Sequence, residues 1–301
     1  MAWTPRTAEI LRAVAAYQLA QEALAGEFSA RWAEALAAVE AREVAASLTE
    51  LEAAYVAAIR ESAAASYALS VAFYRLVRAL ETGRVIGGPG YRPGASLGSL
   101  WADFNRATGK RTGSGPTTPL PVDTRNPFPA EALEREARRA EETFRHQVAD
   151  RVDRHERERP AREGSAALDD AELIAWEKEF LESLKTGGSG AGGMLVQDGG
   201  RDAIHTALQD DPGAIGYYRA TDASPCYFCA LMAGRGAVYK SRSTAAFGAH
   251  PHCHCQAVPI FSRRYQLPSE NDAFARMWKR FGGGSLADWR TYYSTTTKTK
   301  T

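Results

Sequence analysis

The sequence predicts an α+β protein: long N-terminal helices, a Pro/Gly-rich arm, and a small C-terminal α+β module pinned by a structural zinc site. Three observations predict it. From Ala8 to about Thr82 there is no proline and Gly26 is the only glycine, in a stretch dominated by Ala, Glu, Leu and Arg, the composition of helix. The four cysteines all fall within residues 226–255, as Cys226-Tyr227-Phe228-Cys229 and Cys253-His254-Cys255. Short apolar runs, Ala214 to Ala220 and Ala257 to Phe261, flank that cluster as strands do.

The elements follow in order. In residues 1–82, Trp32, Leu36 and Val39, then Leu48, Leu51, Tyr55 and Ile59, recur at steps of three and four, which places each set on one helical face. Two or three antiparallel helices are expected, with Thr4-Pro5 as cap and first-turn proline and a break near Gly26 or Ser47. Residues 83–129 change to Gly87-Gly88-Pro89-Gly90, Gly113-Ser114-Gly115-Pro116 and four further prolines from Pro119 to Pro129. That is an arm or linker, surface-hugging or mobile, in which Trp101 and Phe104 anchor a turn of helix. Residues 130–186 read as charged helices, with Leu133, Phe144, Val148 and Val152 spaced for burial along one stripe, then Leu173 to Leu184 stopping at Gly187-Gly188. Residues 187–265 open with a glycine-rich hinge, continue as a short helix from Arg201 to Leu208, and contain the cysteines. Residues 266–301 read as an amphipathic helix through Phe274, Met277, Trp278 and Phe281, followed by a disordered tail from Ser294.

Bulk properties exclude several classes. The chain of 301 residues carries a formal net charge of +1, so no whole-protein field points to nucleic acid or membrane. No run reaches the roughly 18–20 apolar residues that span a bilayer, and the first residues lack the apolar core of a signal peptide; the protein is expected in the cell that makes it. Charge is uneven, however. Residues 214–301 hold 12 Lys/Arg against 4 acids, a basic end that suits phosphates or an acidic protein surface and equally suits a solvated face.

The cysteine spacing reads as metal. A disulfide framework spreads its cysteines to close loops, whereas thiolates paired in two turns can converge on one tetrahedral ion. Soft thiolates with imidazole favour zinc over calcium or magnesium. Redox or iron–sulfur chemistry and simple buried thiols are the alternatives. The candidate ligands are Cys226, Cys229, His250, Cys253 and Cys255, five donors for four positions, with His252 and His254 left to donate hydrogen bonds to the site or to face water. A catalytic zinc needs an open position and a nearby general base. Glu is absent from 187–269 and the nearest acid is Asp222, so a structural ion is expected and no enzyme. The H-E-x-x-H, G-x-S-x-G, Walker and Rossmann patterns are all missing.

The residues Tyr218 to Asp222, Pro225 to Met232, Arg235 to Tyr239, His250 to Cys255 and Val258 to Phe261 together resemble the C-terminal signature of MuF-like minor head proteins. These belong to tailed bacteriophages and prophages of actinobacteria and are related to the phage head-morphogenesis proteins with C-x2-C followed by H-P-x-C-x-C. The likeness extends upstream to Gly199-Gly200-Arg201-Asp202 and covers about 65 residues; the helical N-terminal half matches in style alone. It implies a minor capsid protein that associates with the portal and with the major capsid or scaffold protein, with double-stranded DNA as a further candidate partner and no membrane. It implies residence in the virion, at the capsid interior or portal vertex, after assembly in the host cytoplasm. Its metal ligands would be Cys226, Cys229, His250 and one of Cys253 or Cys255. A zinc-stabilised nucleic-acid-binding protein is the alternative, and a metalloenzyme or thiol enzyme the third.

Overall fold

The alanine-rich run from Thr7 forms α1 (Thr7–Ala37), and the second apolar series forms α2 (Leu48–Thr82). The structure is a computed structural model that describes residues 3–110, 115–128, 131–163, 170–222, 224–237 and 249–298. The break between the helices falls at 38–47, around a short 3-10 turn (Ala41–Glu43), while Gly26 lies inside α1. Thr4 does not cap the first helix. Arg6 holds that position without a side-chain cap, and the Arg6 amide and the Trp3 indole both donate to the Leu80 carbonyl at 3.1 Å. Helix start and helix end are thereby tied across the antiparallel pair.

The expected hinge is helix. α6 (Asp170–Asp210) is 41 residues long and runs without interruption through the stop expected at Gly187-Gly188 and the glycine-rich stretch beyond it. Packing is the reason. A Cβ at Gly188 would overlap the Trp32 indole, one at Gly192 the Phe28 ring, and one at Gly199 the Ala63 carbonyl. Glycine weakens a helix by about 1 kcal/mol relative to alanine. Here it lets α6 settle against both α1 and α2, and the burial gained outweighs that local cost. The contrast with Gly26, where an added Cβ would meet nothing within 4 Å, makes a paired prediction. Gly26→Ala is expected to raise stability by about 0.5–1 kcal/mol, whereas Gly192→Ala is expected to lower it by about 1–3 kcal/mol. Denaturant midpoints of the two variants check the opposite signs.

Two apolar clusters share these three helices. One joins the first half of α1, the second half of α2 and the last third of α6, with Tyr17 stacked on Phe73 at 4.1 Å. The other joins the opposite ends of the same helices around Phe28, Trp32 and Tyr55. α4 (Glu131–Phe144), a π-helical turn (Arg145–Ala149) and α5 (Asp150–Glu163) close the second cluster. Phe144, Val148 and Val152 are buried there as their spacing predicts; the Leu133 side chain lies outside the described residues.

The Pro/Gly-rich arm is tied down over its described residues. β1 (Val85–Ile86) pairs in parallel with β2 (Val122–Asp123), and between them α3 (Leu97–Ala107) starts from a Ser96/Ser99 capping box. Phe104 and Phe128 are buried, and Arg75 of α2 donates to the Ile86 and Gly87 carbonyls at 3.2 and 2.9 Å. The anchor at Trp101 and Phe104 is thus a helix of about three turns where a single turn was expected.

The C-terminal region comprises β3 (Gly216–Ala220), α7 (Tyr227–Gly234), β4 (Gln256–Ile260), α8 (Ser269–Phe281) and α9 (Leu286–Lys298). The run Leu231 to Tyr239 reads in sequence as a short helix turning through glycines into a strand; the helix ends at Gly234, and positions 238 and 239 lie outside the described residues. The tail expected to be disordered from Ser294 is helical through Lys298. Its anchor is Trp289, fully buried among Trp278, Phe281 and Tyr293, with its indole donating to the Tyr227 carbonyl at 2.7 Å. No helix among the described residues is long and apolar enough to cross a membrane.

Candidate metal centre

Register brings the cysteine pairs together. β3 and β4 run antiparallel with Ala220 opposite Gln256, so the chain leaving β3 toward Cys226 and the chain arriving from Cys255 meet at one end of the ladder. Cys226 is the N-cap of α7, and its Sγ accepts from the Cys229 amide at 3.4 Å. An N-cap side chain and the side chain three residues on share the helix start, which is why C-x2-C aims both sulfurs one way. The second pair sits on a tight turn closed by the Cys253 amide on the His250 carbonyl at 3.0 Å. His252 takes a left-handed φ of 63° in that turn, and its amide donates to the Gly190 carbonyl of α6.

All five sequence-predicted ligands gather into two overlapping groups. Cys226, Cys229 and His250 have ligand atoms within 4.8 Å of one another, as do Cys229, Cys253 and Cys255. The Cys229 and Cys253 sulfurs are 3.6 Å apart, far beyond a disulfide bond and close to the ~3.8 Å separating two thiolates on one tetrahedral zinc with Zn–S of about 2.3 Å. His250 turns Nε2 toward the Cys226 sulfur at 3.0 Å while Nδ1 meets the Pro251 carbonyl at 2.8 Å. A proton on Nδ1 donates to that carbonyl and leaves the Nε2 lone pair facing the sulfurs, the usual tautomer of a ligating imidazole. The donor set therefore fits zinc, and a candidate structural zinc site is present. Three thiolates with a histidine, or four thiolates, are the ligand sets it offers.

Electrostatics agree with an ion at this point. Cys226 is pulled down to about 5, chiefly by its hydrogen bond with Cys229, while Cys229 is pushed far up by hydrogen bonds with Cys226, Cys253 and Cys255. Sulfurs packed this closely cannot all ionise unless a cation sits among them. A zinc with three or four thiolates is itself anionic, and two buried guanidinium groups answer that charge. Arg219 of β3 places Nη1 4.0 Å from the Cys229 sulfur. Arg201 of α6, 2% exposed, donates to the carbonyls of Cys253 and Cys255 at 2.7 and 2.9 Å and to Asp198 and Gln197 at 2.8 Å each.

Sequence reasoning did not find that role of Arg201. Gly199-Gly200-Arg201-Asp202 stood out as part of the resemblance, but with the stretch read as a hinge nothing aimed Arg201 at the cysteines. The spacing of Asp198 and Arg201, three residues apart, suits a pair on one helical face, but it carries no sign of burial or of the carbonyls that the arginine meets. Of the two remaining histidines, His254 accepts from Gln197 at 3.0 Å, since the Gln197 oxygen already serves Arg201. His252 packs over Gly190, where an added Cβ would overlap its ring. Before the first cysteine pair, Arg219 faces the cysteines, and Asp222 accepts from the Ser224 amide at 3.0 Å.

Fold and centre together define an α+β protein whose candidate zinc site is braced against a long helical body. Residues 131–281, half of the chain, match the family described as VG15 protein, and the chain belongs to that family. The matched span opens where α4 opens and closes where α8 closes, so it takes in α6 and the whole cysteine cluster. Comparison with curated proteins and with solved structures finds no match.

Proposed function

We propose that this chain is a non-enzymatic minor capsid protein of a tailed bacteriophage, MuF-like in type, that associates with the portal and the major capsid or scaffold protein during head assembly. Its place would be the host cytoplasm during assembly and then the capsid interior or portal vertex of the virion. One observation supports the reading most: the separated segments that carry the resemblance form one packed unit. Arg201 of α6, the end of β3, Cys226 and Cys229 at α7, and the 250–255 turn leading into β4 all meet at the centre. A zinc held by four protein ligands suits a scaffold role, because a filled tetrahedral site leaves no position for water. The test is co-purification of the full, zinc-loaded chain with the portal protein encoded beside it. A stable complex is expected, and failure to associate with either portal or capsid protein would sink the reading.

A second reading asks less beyond the geometry: a zinc-stabilised nucleic-acid-binding protein. It is favoured by the exposed cations Arg263, Arg264, Arg276, Lys279, Arg280 and Arg290. Because Trp278, Phe281 and Trp289 pack on one another, contact would be with phosphates and not by base stacking. Duplex DNA binding by the full chain would then fall steeply with salt, at a slope of about −0.9 per phosphate contacted. Salt-independent or undetectable binding removes it.

A further inference from the structure

A cleft of about 330 Å³ lies where α1 meets the end of β3 and the start of α8, and none of the cysteines lines it. Leu11, Val14 and Ala15 on one face of α1 form its apolar wall, and Gln18 on the same face donates its amide to the Thr221 carbonyl. Facing them are Thr221 and Asp222 after β3 and Glu270 and Asn271 in the first turn of α8. Asn271 and Thr221 are 1% and 8% exposed, and Asn271 Oδ1 and Thr221 Oγ1 are buried with no hydrogen-bond partner. Turning the Asn271 amide cannot relieve this. Its Nδ2 donates to the carbonyls of Arg219 and Ala233 at 2.8 and 3.0 Å, so a flip would set oxygen against two oxygens.

A buried polar atom left unpaired costs about 1–3 kcal/mol, and the atoms left over here are an amide oxygen and a hydroxyl. With the Asp222 and Glu270 carboxylates beside them, the polar wall asks for donors and positive charge, while the opposite wall asks for methylenes. The N-terminal end of a helix favours anions, but Glu270 and Asp272 in the first turn of α8 already supply that negative charge. We propose that this cleft is a docking site for a lysine side chain of a partner protein. Its stem lies along Leu11, Val14 and Ala15, and its ammonium donates to Asn271 Oδ1, Thr221 Oγ1 and a flanking carboxylate. Lysine suits it better than arginine because three rotatable donors meet acceptors on separate side chains, where a planar fork would need one carboxylate face-on. The inference is independent of both readings above.

The test is NMR titration of the full, zinc-loaded chain with the capped peptide Gly-Lys-Gly and with its norleucine, acetyl-lysine and glutamate counterparts, and with butylammonium. Saturable shifts are expected at residues 11–18, 221–222 and 270–271 with the lysine peptide, and more weakly with butylammonium. Norleucine and acetyl-lysine are expected to bind about tenfold more weakly or worse. Thr221→Val, which keeps the shape and removes the hydroxyl, is expected to weaken the lysine peptide several-fold without altering its competitors. The proposal is overturned by absence of saturable shifts in the cleft, by norleucine equalling lysine, by tighter glutamate binding, or by unchanged lysine affinity in Thr221→Val.

Discussion

Chelation of the metal is expected to cost this protein more than any single substitution outside the cysteine cluster. The purified chain should carry about one zinc ion, and a strong chelator should remove it together with the order of residues 226–255. In the smallest zinc modules the ion supplies an apparent 10–16 kcal/mol or so at neutral pH. Here the β3–β4 ladder and Arg201 hold part of the region without it, so a smaller loss is expected, still above the roughly 2–5 kcal/mol of a large cavity. Cys229 belongs to both ligand groups, so Cys229→Ser should abolish stoichiometric zinc in any arrangement. Of Cys226→Ser, His250→Ala, Cys253→Ser and Cys255→Ser, one should keep the ion and the other three lose it, because five donors surround four positions. Metal analysis and thermal unfolding with and without chelator check this, and a melting curve indifferent to chelator would refute the structural role.

The second large effect is expected at Arg201. Arg201→Leu removes a buried guanidinium with four acceptors and leaves the Cys253 and Cys255 carbonyls without their donor. Asp198 keeps Arg139 at 2.9 Å, so the aspartate is not abandoned and the loss concentrates on the ligand turn. Breaking one side of a buried pair typically costs about 3–5 kcal/mol, and zinc affinity should fall with it because the turn is no longer held to α6. Arg201→Lys should not rescue, since an ammonium cannot span carbonyls and carboxylate as the planar fork does. Zinc competition with a colorimetric chelator separates the outcomes: destabilisation with unchanged affinity would mean that Arg201 serves the core and not the turn.

Much of this was legible in the residues. The steps of three and four through Trp32, Leu36, Leu51, Tyr55 and Ile59 located α1 and α2, and the C-x2-C and C-x-C pairs located the centre. The glycine-rich stretch misled because helix propensity is a local quantity. Gly188, Gly192 and Gly199 look like breakers until Trp32, Phe28 and Ala63, more than a hundred residues earlier, are set against them. The tail misled for the same reason, since its helix is held by Trp289 reaching the Tyr227 carbonyl.

By itself the sequence determined which atoms are soft metal donors, how they pair in two turns, and which faces of the first two helices must be buried, because spacing along a chain dictates direction within a helix or turn. Tertiary structure alone decided that α6 is continuous, that Arg201 braces the ligand turn, and that Asn271 and Thr221, which line a cleft, are left with unpaired buried oxygens. Close approach, orphaned polar atoms and buried charge are properties of neighbours brought together by folding, and no local pattern encodes them.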